Sequence, residues 1–112
     1  MANSFKVKTF NGSATGASTA MTIYTCPVST QTTVIGLTVA NITSSQISVD
    51  VTLENNDGDN VYIVKSAPIP AGGALVPIGG DQKVVLEASD VLKVTSDTAN
   101  SADSTLSILE IT

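Results

Sequence analysis

The sequence contains no histidine, no tryptophan and no arginine, and it has a single cysteine. Histidine and cysteine supply most general bases and transition-metal ligands in proteins, so their scarcity removes the usual equipment for catalysis and metal binding. Cys26 alone cannot form an internal disulfide, so packing and hydrogen bonds must stabilise the fold. We therefore expect a protein that is not an enzyme and that binds no cofactor or metal ion.

Charge is also scarce. Five lysines and ten acidic residues give a net charge of -5 at pH 7, and only 13% of the residues are charged. Nucleic-acid binding needs a basic surface, which this composition does not offer. No apolar run approaches the roughly 20 residues of a membrane-spanning helix, and no signal peptide follows the first lysines. The expected partners are other proteins, with no nucleic acid and no membrane.

The clearest pattern is a strict alternation of apolar and polar residues over residues 47–54, as in a strand with one buried face. Residues 55–60 then collect Asn, Asp and Gly, which favour tight turns, and residues 61–64 resume a β-rich run. This order predicts a β-hairpin with its tip at residues 55–60.

Short β-rich runs separated by turn residues predict about nine strands, at residues 5–10, 21–26, 33–39, 47–54, 61–64, 74–78, 83–87, 91–96 and 105–111. No helical stripe is present, and 28 serine and threonine residues favour strands and turns. We predict an all-β, antiparallel β-sandwich, either a jelly roll or an immunoglobulin-like fold. Residues 66–73 hold two prolines and two glycines, which predicts a loop, and residues 79–81 predict a turn.

The predicted core is aliphatic, because aromatic residues make up only 4% of the chain. Its members are Ile23, Ile35, Leu37, Val39, Ile47, Val49, Val51, Leu53, Ile63, Leu86, Leu92, Val94, Leu106 and Ile108. We expect a sandwich with such a thin core to gain stability from oligomerisation. Runs that are apolar on both faces, at residues 34–37 and 84–86, either lie between two layers or face a partner subunit.

The domain prediction separates an N-terminal strand and flexible connector, residues 1–20, from a sandwich domain, residues 21–112. Residues 11–20 are rich in Gly, Ser, Thr and Ala, as flexible connectors are. The strand at residues 5–10 has two interpretations. It is either an edge strand of its own subunit or a strand added to a neighbour.

Several chemistries have weak signals. Oxygen donors at residues 55–60 suit Ca²⁺, but the pattern lacks the closing glutamate of an EF-hand. Cys26 is interpreted as a packed apolar side chain, and the sequons at Asn11 and Asn41 as chance matches. A glycosidase pair has only four candidate carboxylates and few aromatic platforms. These carboxylates are Asp50, Glu54, Glu87 and Glu110.

Five segments resemble a group of small virion proteins from tailed bacteriophages, notably marine phages and cyanophages. They are IYTCP at 23–27, TVIGLTVAN at 33–41, YIVKSAPIPAGGAL at 62–75, LEASDVLKV at 86–94 and LEI at 109–111. Cys26 departs from the pattern, which has a small or apolar residue there. The resemblance implies a β-sandwich on the particle surface, assembled in the host cytoplasm, that acts as a symmetric homo-oligomer, often a trimer.

The first functional hypothesis is a capsid decoration or cement protein. Alternatives are a neck, tail or fibre component of the virion, and a carbohydrate-binding adhesion module. A cement protein needs only a rigid body with fitting loops, because symmetry multiplies each weak contact. The candidate contact residues are the hairpin tip, the proline loop and the N-terminal strand: Asn55, Asn56, Asp57, Gly58, Asp59, Pro68, Ile69, Pro70, Phe5 and Val7.

Overall fold

A computed structural model describes residues 3–79 and 83–112. These residues form nine β-strands and one short 3-10 helix, so the all-β prediction is confirmed. In the described part of the chain, no helix is long and apolar enough to cross a membrane. The strands are β1 Asn3–Phe10, β2 Ala20–Thr25, β3 Gln31–Asn41, β4 Ile47–Glu54, β5 Asn60–Ile69, β6 Ala74–Ile78, β7 Val84–Leu86, β8 Val91–Ser96 and β9 Ala102–Ile111.

Two antiparallel sheets pack face to face. In sheet A the order is β1-β9-β3-β6, and β7 also pairs with β3. In sheet B the order is β2-β8-β4-β5. Strands β6 and β7 follow each other along the same edge of β3, so together they act as one interrupted strand. Of the turn predicted at residues 79–81, residues 80 and 81 lie outside the described residues.

The strand pairs nest inside one another: β4 with β5, β3 with β6 and β7, β2 with β8, and β1 with β9. This is the pairing of one long hairpin that is rolled up into two sheets, the jelly-roll topology. The structure thus decides between the two topologies that the strand pattern left open.

The core lies between the sheets, where inward-facing Val, Leu and Ile side chains alternate with outward polar ones. Eleven of the fourteen predicted core residues are buried; Leu53 and Ile63 are only partly buried. The buried apolar residues outside the prediction are Met21, Tyr24, Cys26, Val34, Ile69, Ile78 and Ala102.

Ile35 was predicted to be buried, and this prediction is wrong. The β3–β9 register shifts between Val34 and Gly36, which are paired with the consecutive residues Ile108 and Ser107. The extra residue of this bulge is Ile35, and it turns outward while Val34 is fully buried. A bulge interrupts the two-residue period on which the core prediction depended.

The prediction of a loop beginning at Ser66 is also wrong, because β5 continues to Ile69. Pro68 is tolerated since β5 lies at the edge of sheet B, where one side of the strand has no ladder partner. Ser66 has a φ of 53°, and its N–H donates to the Asp50 carboxylate at 2.6 Å. The β4–β5 register shifts at this point, and the strand continues through Pro68 and ends at Ile69, before Pro70.

Strand β1 pairs with β9 over its whole length, from Asn3 opposite Ile111 to Phe10 opposite Ser104. It is therefore an edge strand of its own subunit, as one of the two interpretations predicted. The connector to β2 contains the 3-10 helix Gly12–Ala14, and backbone hydrogen bonds join Ser18 to Ser96 and Asn100 to Thr15. The flexibility of this connector and the domain boundary at residue 20 stay predictions.

Candidate interaction surfaces

The predicted hairpin tip is a compact turn at one end of the sandwich. The Asn55 side chain accepts a hydrogen bond from the Asp57 N–H at 2.8 Å, and the Asn55 carbonyl accepts one from Gly58 at 2.9 Å. Gly58 has a φ of 99°, a conformation that glycine adopts without strain. Local hydrogen bonds therefore hold the tip in one shape, with the carboxylates of Asp57 and Asp59 on its exposed surface.

Asp90 joins this tip to two other loops. Its buried carboxylate accepts hydrogen bonds from the Asn56 N–H at 2.8 Å and from the Glu87 N–H at 2.9 Å. Its backbone carbonyl accepts a third from the Cys26 N–H at 2.9 Å. One residue thus connects the β2–β3, β4–β5 and β7–β8 loops, and charge-assisted bonds of this kind are the strong ones. In the sequence, Asp90 lies between the predicted strands at residues 83–87 and 91–96, and this position does not reveal such distant partners.

An open groove of about 540 Å³ lies beside this junction. The β2–β3 loop, the hairpin tip and the β7–β8 loop line it, together with the last two residues of the chain. Among residues 3–79 and 83–112, no three His, Cys, Asp or Glu side chains are grouped so as to hold a metal ion. The groove presents loop backbone and polar side chains.

Pro68, Ile69 and Pro70 lie at the other end of the sandwich, because β5 runs from the hairpin tip to Ile69 opposite Ile47. Ile69 is fully buried, which withdraws it from any contact surface, whereas Pro68 and Pro70 are exposed. The Asn41 side chain holds this end in place. Its amide nitrogen donates to the carbonyls of Ser45 at 2.7 Å and Ile69 at 3.0 Å.

Asn41 is also the asparagine of a sequon, and its side-chain amide is engaged in these same contacts. The side chain is buried, and its oxygen also accepts hydrogen bonds from the N–H and the hydroxyl of Thr43. An amide used in this way is closed to glycan attachment in the folded protein. Asn41 is a structural link between loops, a role that the tripeptide pattern did not reveal.

A chain of polar side chains crosses the space between the sheets near β1. Lys6 Nζ lies 2.8 Å from Glu110 Oε1, and the Tyr24 hydroxyl donates to the other oxygen of Glu110. Tyr24 also lies 2.9 Å from the hydroxyl of Thr32, which is 3.3 Å from the sulfur of Cys26. Glu110 is only 6% exposed. The buried carboxylate is therefore fully provided with partners, and Cys26 is packed as expected.

The partners of Glu110 change its titration and that of Tyr24. The hydrogen bond from Lys6, and then that from Tyr24, lower the pKa of the Glu110 carboxyl. Burial, followed by the hydrogen bond to Glu110, raises the pKa of the Tyr24 hydroxyl. Both shifts keep Glu110 charged and Tyr24 neutral at pH 7, which is the state that the hydrogen bond requires.

Phe5 and Val7 lie on the outer face of sheet A. Phe5 pairs with Leu109 and Val7 with Ser107, whereas the intervening Lys6 pairs with the buried Ile108 and points to the interior side. The exposed large apolar residues on this face are Phe5, Val7, Ile35, Val76 and Val85. The structure describes every strand residue of sheet A. Among those whose side chains point outward, only Asp103 is charged. It lies at one margin and accepts a hydrogen bond from the Gly12 N–H.

The outer face of sheet B has the opposite character. Lys93 and Glu54 form an ion pair at 2.9 Å, and the Lys65 ammonium lies 4.5 Å from the ring centre of Tyr62. A second groove on this face, of about 420 Å³, is lined by serine and threonine side chains with the carboxylates of Asp50 and Asp97. No aromatic residue lines it or the first groove within the described part of the chain.

The predicted contact residues thus fall on three separate surfaces: the hairpin tip, the opposite end at Pro68 and Pro70, and the outer face of sheet A. The glycosidase candidates are dispersed as well. Asp50 and Glu54 are outward on sheet B, Glu87 is in a loop, and Glu110 is buried between the sheets. Tyr24, one of two tyrosines that a sugar platform could use, is buried.

No protein-family profile matches this sequence, and no curated protein matches it. The interpretation of its surfaces therefore depends on their own geometry and chemistry.

Proposed function

We propose that this chain is a non-enzymatic structural protein of a phage virion, a decoration or cement protein that binds the shell as a symmetric oligomer. The observation that carries the proposal is the Asp90 junction, which holds three loops at one end in a fixed relation. Preorganised loops lose little conformational entropy on binding, so weak contacts repeated by symmetry are sufficient.

The hairpin tip is the proposed contact with the shell. Asp57 and Asp59 are exposed on it, and they give this end an acidic surface that a basic junction between shell subunits would complement. The jelly-roll body supports this role, because the fold forms a rigid support and recurs in viral capsid domains. Fold alone does not define function, so the proposal depends on the loops.

The location is tested by labelling virions of the source phage with an antibody raised against this chain. Gold particles over the shell, seen by electron microscopy, are the expected result. Labelling confined to the neck, tail or fibres would replace the decoration hypothesis by the alternative virion role. Virions without label, and without this chain in their protein content, would contradict both roles.

The contact surface is tested with two double variants that control for each other. Asp57→Lys with Asp59→Lys reverses the charge of the hairpin tip, and Pro68→Ser with Pro70→Ser changes the opposite end. We expect the first to reduce binding to shells depleted of the protein by about tenfold or more, and the second to leave binding unchanged. The reverse result would move the contact to the proline end. Circular dichroism checks that both variants are folded.

A further inference from the structure

We propose that two copies of this chain associate through the outer faces of their sheets A, as a twofold-symmetric pair in solution. The proposal goes beyond the function above, because it concerns the free protein and holds whether or not the chain binds a shell. It is carried by the side chains that this face exposes and by the charges that it lacks.

Of the nine exposed large apolar side chains among the described residues, five lie on the outer face of sheet A. Phe5 is 77% exposed and Val85 is 62% exposed, at opposite edges of sheet A. They belong to one row across the sheet, because Phe5 pairs with Leu109, Leu109 with Thr33, and Thr33 with Val85. Val7, Ile35 and Val76 extend the patch along the strands. A group of exposed apolar side chains that extends from one edge of a sheet to the other is typical of an interaction site.

The charge distribution favours a second copy as the occupant. The chain carries a net charge of -5, so most surfaces of two copies repel each other. Apart from Asp103 at its margin, the described strand residues of this face bring no charge into the contact. A foreign partner is commonly selected by complementary charges. The outward strand residues of this face offer only Asp103, and Lys83 and Glu87 flank β7 at its edge. Interfaces between identical chains are the more apolar class.

The size of the face is also sufficient. Four strand positions spaced by about 4.8 Å, with strands of up to eleven residues, give a surface about 20 Å wide and about 35 Å long. This is comparable to the roughly 800 Å² that each partner buries in a stable interface. A surface that meets its own copy does so across a twofold axis, which makes the pair a dimer.

The test measures the mass of the purified full chain by light scattering over a concentration series, for the wild type and two matched variants. Val85→Glu places a carboxylate within the proposed contact, at the β7 edge of sheet A, once from each copy. Val28→Glu adds the same charge on a loop at the end of the molecule, at a valine that is 76% exposed. Both substitutions are at exposed positions, and circular dichroism checks that each variant is folded. Val85→Thr provides a milder variant of nearly the same shape.

We expect a wild-type dimer, a rise of about 100-fold or more in the dimer dissociation constant for Val85→Glu, and no change for Val28→Glu. Small-angle scattering should show a compact dimer, because two copies stacked through a 26 Å dimension span about 52 Å in that direction and 45 Å along the strands' long axis, well short of an end-to-end pair. A monomer at all concentrations, a trimer, an end-to-end dimer of twice the 45 Å length, or equal effects of the two glutamates would overturn the proposal. Shell labelling is independent of these results, so a failure of either proposal can be distinguished from a failure of the other.

Discussion

The two sheets distribute polar and apolar groups in opposite ways. Sheet B has its charged residues outside and its apolar residues inside, as is usual. Glu54 and Lys93 are paired on its outer face, whereas Val49, Val51 and Val94 are buried. Sheet A places its ion pair on the inner side, where Lys6 meets the buried Glu110, and exposes Phe5 and Val85 outside. The proposed contact between two copies would cover the apolar side chains on the outer face of sheet A.

The largest effect should come from the inner ion pair. Glu110→Ala removes the acceptor of both Lys6 and Tyr24 and leaves a small cavity, so we expect the free energy of unfolding to fall by about 2 kcal/mol or more. Urea denaturation at pH 7 measures it. A loss of less than about 0.5 kcal/mol would mean that the buried carboxylate behaves like a surface charge. The ion pair of sheet A would then contribute no more to stability than that of sheet B.

The same carboxylate makes a pH-dependent contribution. The pKa of Glu110 is lower in the folded than in the unfolded chain, so its stabilising effect is complete above the ordinary glutamate pKa of about 4.3 and is lost as the pH falls through the lowered folded value. Glu110→Gln should be less stable than the wild type at pH 7 by about 1 kcal/mol. The two denaturation curves should converge towards pH 2; a constant difference across this range would contradict the assigned pKa.

Tyr24 is the polar partner that sheet B contributes to the interior. Tyr24→Phe should cost about 1 kcal/mol at neutral pH, because it removes one hydrogen bond from Glu110. The folded pKa of Tyr24 is raised, so its stabilisation is present below the ordinary tyrosine pKa of about 10 and is lost as the pH rises above it. The gap between wild type and variant should therefore close in alkaline solution. A gap that widens there would show that Tyr24 ionises readily in the folded protein.

The smallest effect belongs to the outer ion pair of sheet B. Glu54→Ala should change the free energy of unfolding by about 0.5 kcal/mol or less, because Glu54 and Lys93 are both partly exposed to water. Added salt should reduce even this difference. Thermal unfolding at low and high salt provides the measurement, and a cost similar to that of Glu110→Ala would remove the contrast between the two pairs.

The alternating pattern of residues 47–54 was sufficient to predict β4 with its observed bounds, and the Asn-Asp-Gly cluster predicted the hairpin tip. Both depend on local rules, the two-residue period and turn chemistry. The position of Ile35 could not be predicted, because a bulge arises from pairing with β9, about seventy residues further along the chain. The continuation of β5 past Pro68 was missed for a related reason, since proline excludes a central strand but not an edge strand.

The candidate surfaces were only partly visible in the sequence. Phe5, Val7 and the hairpin tip were selected from their residue types, and they are exposed. Val76 and Val85 lie in apolar runs whose inner and outer residues cannot be distinguished until the register is known. Asp90 and Glu110 were acidic residues without assigned partners, because their hydrogen bonds reach Asn56, Lys6 and Tyr24 across the fold.

By itself, the sequence determined that this chain is an all-β protein with a thin aliphatic core, a tight hairpin and little equipment for catalysis. These properties follow from residue types and from a period that a few neighbouring residues define. The tertiary structure decided the jelly-roll pairing, the outward turn of Ile35, the junction at Asp90 and the inner position of Glu110. Each of these features depends on contacts between segments that are distant in the sequence. Such contacts form only when both sheets are assembled around one core.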